Sequence, residues 1–182
     1  MIIGITGPEC SGKDTATAYF AKKGFISFSL SDEIRKECAT RGLDTDTPTL
    51  VLVANDLRER YGADILARRA LAHVEPGKNY VINSIRNPSE AAHLKTHGKL
   101  VLVKLDANPM TRYQRHTVRD GRSKYPSYPA FVAAEEAQKS TNPLHQQLQL
   151  VFSIADYTIQ NDSDVLTLTA KLDTLLNTLK TD

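Results

Sequence analysis

Gly7-Pro8-Glu9-Cys10-Ser11-Gly12-Lys13 fits the pattern G-x-x-x-x-G-K. Residues of these types at this spacing can hold phosphate. Glycines let backbone N–H groups converge on phosphate oxygens, and a helix opening at the second glycine adds partial positive charge. Lys13 would span the β- and γ-phosphates of a nucleoside triphosphate. Such a loop acts by positioning and charge stabilisation rather than by covalent chemistry. The pattern commonly ends in Ser or Thr, whose hydroxyl binds Mg²⁺; here Asp14 stands in that place, followed by Thr15. A carboxylate is a good Mg²⁺ ligand, so Asp14 is offered as a metal ligand, directly or through water. Its charge also opposes polyphosphate when no metal is present. Gly7 through Thr15 are therefore the expected cofactor-binding residues. The competing reading, a glycine-rich turn that binds nothing, is disfavoured because strand, loop, lysine and helix agree.

Arginine carries the rest of the chemistry, because its planar fork binds phosphate through two donors at once. Arg35, Arg58 and Arg86 fall at strand ends or in segments between strands, where surface ion pairing is the alternative role. Asp32 could orient Arg35 or an acceptor hydroxyl, or simply cap a helix. Residues 109–124 hold Arg112, Arg115, Arg119, Arg122 and Lys124 against the single acid Asp120, a local charge of +4. Arg112, Arg115 and Arg119 share one helical face. A mobile lid over a triphosphate needs such a face, and Arg115, Arg119 or Arg122 would stabilise the transferring phosphoryl group. A solvated basic surface and an RNA-binding surface are the alternatives. Cys10 reads as a tolerated small side chain rather than a redox thiol, and His116 as a surface residue rather than a base.

The elements that must position these residues alternate short apolar runs with helical stretches, the pattern of a parallel α/β sheet. Ile2–Thr6 reads as a doubly buried central strand. Further strands are expected at Phe25–Phe28, Tyr80–Ile85, Leu100–Leu105 and Tyr157–Ile159. Helices are expected over 12–23, 31–41 (capped by Ser31-Asp32), 49–61, 63–74, 88–98, 109–119, 130–139 and 143–153. The 49–61 helix shows Leu50, Val53, Leu57 and Tyr61 on one face, and the C-terminal helix shows Val165, Leu168, Leu172, Leu175 or Leu176, and Leu179. Residues 120–130 break regular structure and have little apolar anchorage.

Composition removes several classes. At 182 residues, one compact domain is expected, large enough to bury about 70% of its unfolded surface without staples. A net charge of +2 is too small to argue for a nucleic-acid partner. Two cysteines outside any C-x-x-C pattern, and five histidines without zinc spacing, exclude a disulfide framework and a structural zinc site. No apolar run approaches the ~18 residues of a membrane span. The N-terminal run lacks the basic leader of a signal peptide, so the cytoplasm is the expected location.

With these residues in view, the chain resembles nucleoside-monophosphate kinases of the P-loop class. Gly-Lys-Asp-Thr is similar to the loop of phage deoxynucleoside-monophosphate kinases. Phe28-Ser29-Leu30-Ser31-Asp32-Glu33-Ile34-Arg35 resembles the adenylate-kinase segment ending Gly-Asp-x-x-Arg, with Ser31 replacing the glycine and Asp32 and Arg35 matching. Val81-Ile82-Asn83-Ser84-Ile85-Arg86 resembles the third-strand segment, in which an arginine grips the acceptor phosphate. Small archaeal and bacterial adenylate-kinase-related proteins, dephospho-CoA kinase, and the kinase-like domain joined to some deoxycytidylate deaminases share features with Ala54-Asn55-Asp56-Leu57-Arg58, Tyr61-Gly62-Ala63-Asp64 and Ala155-Asp156-Tyr157-Thr158-Ile159. The likeness covers most of the chain, and the phosphate loop is its one highly specific motif. Many relatives carry Asp or Glu where this chain has Asn83. The deaminase signature, H-x-E with P-C-x-x-C, is absent.

The resemblance implies a P-loop three-layer α/β sandwich with a five-stranded parallel sheet. It implies one domain, 1–182, with a helical acceptor-binding insertion at 31–76 and a lid at 112–138. ATP and Mg²⁺ are the implied cofactors. Asp32, Arg35, Asn55, Arg58 and Arg86 are the implied acceptor-side residues; Lys13, Arg86, Arg115, Arg119 and Arg122 are the implied catalytic ones. The implied reaction is phosphoryl transfer to a (deoxy)nucleoside monophosphate. Dephospho-CoA or another small phosphorylated or hydroxyl acceptor, and a nucleotide sensor with slow ATPase activity, are the alternatives. The expected partners are a nucleotide and a small phosphorylated or hydroxyl acceptor, with neither a membrane nor nucleic acid expected.

Overall fold

A computed structural model describes residues 1–118, 125–137 and 139–181, together with the backbone of Arg119. In chain order the elements are β1 (Ile2–Thr6), α1 (Lys13–Lys22), β2 (Ile26–Ser29), α2 (Leu30–Thr40), α3 (Thr47–Tyr61), α4 (Ile65–Leu71) and β3 (Tyr80–Asn83). There follow α5 (Pro88–Lys95), β4 (Leu100–Asp106), α6 (Pro109–Arg119), α7 (Tyr128–Ala137), α8 (Leu148–Ser153), β5 (Tyr157–Gln160) and α9 (Val165–Thr181).

β1 is apolar and β-branched along its length, as burial on both faces requires, and every residue of it is buried. It takes the centre of a five-stranded, all-parallel sheet in the order β2-β3-β1-β4-β5, with Ile2 opposite both Tyr80 and Leu100. Alternation along the strands sorts their side chains into two cores. Ile2, Ile82, Leu100 and Leu102 pack on one side against Leu30 and Ile34 of α2, Leu57 of α3, Leu66 of α4, Leu94 of α5 and Val151 of α8. Ile3, Ile5, Val81, Val101 and Val103 pack on the other against Phe20 of α1 and Leu168, Leu172 and Leu176 of α9. The result is the expected three-layer α/β sandwich, and its parallel strands bring all their C-terminal ends to one edge, where ligands bind in open α/β sheets.

Several local expectations are corrected. Ser31-Asp32 does not cap α2: the helix begins at Leu30 with Ser29 at its N-cap, and Asp32 lies in the first turn. Tyr61 and Val165 do not join the cores. Tyr61 ends α3 where Gly62 turns the chain, and it is 53% exposed. Val165 opens α9 before the helix docks, and it is 61% exposed. The region after α6 also has more apolar anchorage than its composition suggests. Phe131 is fully buried among Tyr113, Tyr125 and Tyr128, and Arg112 lies over its ring.

Candidate active site

The phosphate loop hangs from the end of β1 and runs into α1. Gly7 has φ 146° and Gly12 φ 101°, backbone states that L side chains rarely adopt. A side chain at Gly7 would strike the Leu105 carbonyl, and one at Gly12 the Asn161 amide. Asn161, after β5, is nearly buried and donates from Nδ2 to the Ser11 carbonyl at 2.9 Å, fixing the loop from behind. Cys10 is also left-handed, with φ 57°. Lys13 Nζ donates to the Pro8 carbonyl of its own loop at 2.6 Å. Burial and the nearby Arg86 charge lower its pKa to about 8.

Asp14 sits in the first turn of α1, where the helix dipole favours a carboxylate. Its Oδ1 accepts from Asn83 Nδ2 at 3.0 Å. The donor set suits Mg²⁺ that arrives with a nucleotide. That ion is commonly held by one or two carboxylates plus phosphate oxygens and water. Among the described residues no group of three or more His, Cys, Asp or Glu could cage a metal alone. When bound, the ion would be held on the protein side by Asp14 and would supply charge neutralisation to the transferring phosphoryl group.

From the loop a cleft of about 1260 Å³ extends along the C-terminal edge of the sheet. Gly7, Pro8, Glu9, Cys10, Gly12, Lys13, Asp14 and Thr15 line one end; Ser11 is fully buried beneath it. Arg35, Arg58 and Arg86 line the other end, together with Ile34, Leu50, Val51 and Ala54 of α2 and α3. Asp32 and Asn55 do not line it. Asp32 pairs with Arg35 at 2.8 Å on an exposed face, and Asn55 Oδ1 is buried with no hydrogen-bond partner among the described residues.

Arg58 departs from the expected acceptor role. It is 1% exposed, and its Nε and Nη2 donate to Oε1 of the fully buried Glu90 at 3.2 and 2.8 Å. Glu90 Oε2 accepts the backbone N–H of Arg86 and of Asn87 at 2.8 and 3.0 Å. One carboxylate thus neutralises Arg58 and fixes the backbone that carries Arg86. The Arg86 guanidinium reaches into the cleft, where Nη1 donates to Gln146 Oε1 at 3.2 Å, and the Arg86 carbonyl accepts from Gln147 N at 2.7 Å. Burial and the neighbouring Arg58 charge push its pKa down; arginine stays charged nonetheless.

At the loop end the basic helix is partly neutralised. Arg112, 5% exposed, pairs through both terminal nitrogens with Glu135 of α7 and donates to the carbonyls of Ala107 and Glu9. Arg115 lines the cleft and donates to the Ser163 carbonyl at 2.8 Å. His116 is not a surface residue. It is fully buried, with Nε2 3.5 Å from Glu9 Oε1 and its ring edge-on to Tyr125. The side chain of Arg119 and the whole of Arg122 lie outside the described residues.

Sequence reasoning missed Glu90, Glu135 and Gln146. Asn87-Pro88-Ser89-Glu90 does spell a capping box, and the box forms. Nothing in that motif announces the second duty of Glu90 toward Arg58.

A phosphate loop at the end of a central parallel strand, with arginines facing it across one cleft, defines the P-loop kinase fold. The shikimate kinase of Acinetobacter baumannii, in complex with shikimate, superposes with TM-score 0.59 at 18% identity, covering 100% of this chain and 95% of that one. The shikimate kinase of Bacteroides thetaiotaomicron gives 0.61 at 15% identity, covering 97% and 98%. A family model described as an AAA domain matches residues 3–138. A UPF0200 protein of Pyrobaculum aerophilum is 30% identical over 164 residues, covering 89% of this chain and 88% of its own. One from Methanococcus maripaludis is 28% identical over 169 residues, covering 91% and 90%. The chain belongs to the AAA domain family and to the UPF0200 proteins.

Proposed function

We propose that this protein is a Mg²⁺- and ATP-dependent phosphotransferase acting on a (deoxy)nucleoside monophosphate. The observation that carries the reading is that Lys13 of the phosphate loop and Arg86, just after β3, line one cleft at the C-terminal edge of the sheet. Two half-buried cations lining one cleft suit a donor triphosphate and an acceptor phosphate bound together. Lys13 and the loop amides hold ATP, with Asp14 on the metal. Arg86 and Arg35 grip the acceptor, while Ile34, Leu50, Val51 and Ala54 offer an apolar wall to a base. The helices between β2 and β3, within 31–76, form the acceptor-binding insertion. Residues 112–138 would serve as the lid, with Arg115, Arg119 and Arg122 as the residues that stabilise the transferring group. The acceptor phosphate is already an anionic nucleophile, so no strong general base is required.

A hydroxyl acceptor bearing a carboxylate is the second reading, because an arginine fork grips carboxylate as it grips phosphate. It is supported by the Acinetobacter kinase that binds shikimate. The test is ADP production from ATP and Mg²⁺ with a panel of the common ribo- and deoxyribonucleoside monophosphates, dephospho-CoA and shikimate. Stimulation by one monophosphate is expected. ATP binding without stimulation by any acceptor would instead support a nucleotide-sensing module.

A further inference from the structure

The Asp14–Asn83 contact has a polarity that can be read from its surroundings. Asn83 ends β3 and is 3% exposed. Its Oδ1 accepts the N–H of Ser84 at 2.6 Å, the residue that turns the strand end with φ 66°. That bond fixes the amide orientation, because a flipped amide would set NH₂ against N–H. The Nδ2 group is thereby aimed outward, and it meets Asp14 Oδ1 at 3.0 Å. Asp14 lies on the first turn of another element, exposed at the cleft, and no partner for its Oδ2 is found among the described residues.

From this geometry we infer that Asn83 is a positioning residue for Asp14: it holds one carboxylate oxygen so that the other faces the metal carried by the nucleotide. The pair bears a single negative charge, supplied from position 14 and oriented from position 83. The inference rests on the assignment of Asp14 to Mg²⁺ made above and deepens it. The two positions are coupled: an acid at 83 beside Asp14 would set two carboxylates about 3.0 Å apart, a like-charge contact that opposes ionisation of both. Exchanging the roles, with a hydroxyl at 14 and a carboxylate at 83, would restore one charge and one donor.

The readout is the gain in affinity that Mg²⁺ confers on the β,γ-imido analogue of ATP, measured calorimetrically with Mg²⁺ and with EDTA. Melting curves verify that each variant is folded. Asn83→Ala should cut the gain about tenfold, the usual cost of removing a partner that orients a metal ligand, and leave the metal-free affinity unchanged. Asp14→Ala should remove most of the gain, and Asp14→Ser part of it, because a hydroxyl at this position also binds Mg²⁺. Asp14→Ser combined with Asn83→Asp should recover about tenfold over Asp14→Ser alone. An Asn83→Ala variant with the full gain, or a double variant no better than Asp14→Ser, would overturn the positioning role while leaving the phosphotransferase reading intact. Binding with no Mg²⁺ gain in the unaltered protein would remove Asp14 from the metal and this inference with it. An unaltered protein that does not bind the analogue at all would overturn the phosphotransferase reading as well.

Discussion

Lys13 is the residue whose state matters most before nucleotide arrives. Its pKa near 8 lies below the ordinary lysine value of 10.5, because burial and Arg86 both disfavour the charged form. The depressed value costs stability at neutral pH, and that cost disappears as pH rises from about 8 toward 10.5, where the unfolded chain binds more protons than the folded one. A polyphosphate reverses the preference by supplying the missing counter-charge. Binding of ATP above pH 8 should therefore take up a proton, and affinity should fall as pH rises through that value. Calorimetry at pH 9 in buffers of different ionisation enthalpy measures the uptake, and Lys13→Ala should eliminate it. The same variant should lose at least about 2.7 kcal/mol of transition-state stabilisation, the scale of one preorganised donor, while keeping its fold. A proton count unchanged in Lys13→Ala would move the titrating group elsewhere.

At the scale of elements, the structure invests in the joints. Glu90 ties α3 to the start of α5 and holds the backbone of Arg86, all inside the protein. Breaking one half of a buried pair leaves an uncompensated charge and costs about 3–5 kcal/mol. Glu90→Gln should lower unfolding stability in urea by about that much and weaken acceptor KM more than ATP affinity. Equal loss on both substrates would separate Glu90 from the Arg86 side. The α6–α7 pair has its own small core around Phe131, so the arginines of α6 are not a bare repulsive face as their spacing alone suggests. Phe131→Ala should speed hydrogen exchange across 109–118 and 128–137 and leave β1 and β4 protected, with ATP analogue restoring part of the protection. Uniform acceleration through the sheet would mean that this cluster belongs to the main core.

These joints also mark how far the sequence could be read. The parallel sheet, the phosphate loop and Arg86 were legible because strand runs and a contiguous motif are local signals. Glu90 and Glu135 meet arginines 32 and 23 residues away on other helices, and no periodicity encodes which helices will touch. Arg58 looked like an anion-binding residue because its type and place in the order suit one; only packing reveals the carboxylate already beneath it. His116 looked exposed among basic neighbours, yet Tyr125 packs on its ring and Glu9, from the phosphate loop far back in the chain, meets it on another side.

The whole molecule divides its work between a sheet sealed by two cores and the helices that line the cleft at its edge. β1 and β4 are sealed between two cores, and each carries a wall of the cleft only at its C-terminal end. Charge is arranged to suit this division: Arg86 and Arg35 approach from the α2–α3 side and its neighbours, Arg115 from α6, and Lys13 from the loop between them. A ligand that spans donor and acceptor sites should therefore stabilise the protein more than either half alone, because it joins both sides across the sheet edge. At one hundred times its Kd such a ligand adds about 2.7 kcal/mol, or roughly 5–10 °C in melting temperature for a chain of this size. Thermal denaturation with a dinucleoside pentaphosphate, which joins two nucleosides through one phosphate more than ATP and a monophosphate hold between them, measures the effect against ATP and monophosphate separately. Arg86→Lys should reduce the pentaphosphate shift to near that of ATP, since a point charge cannot replace two parallel donors. If the pentaphosphate stabilises no more than ATP does in the unaltered protein, the Arg35–Arg86 end of the cleft does not receive a phosphorylated acceptor, and the hydroxyl-acceptor reading takes its place.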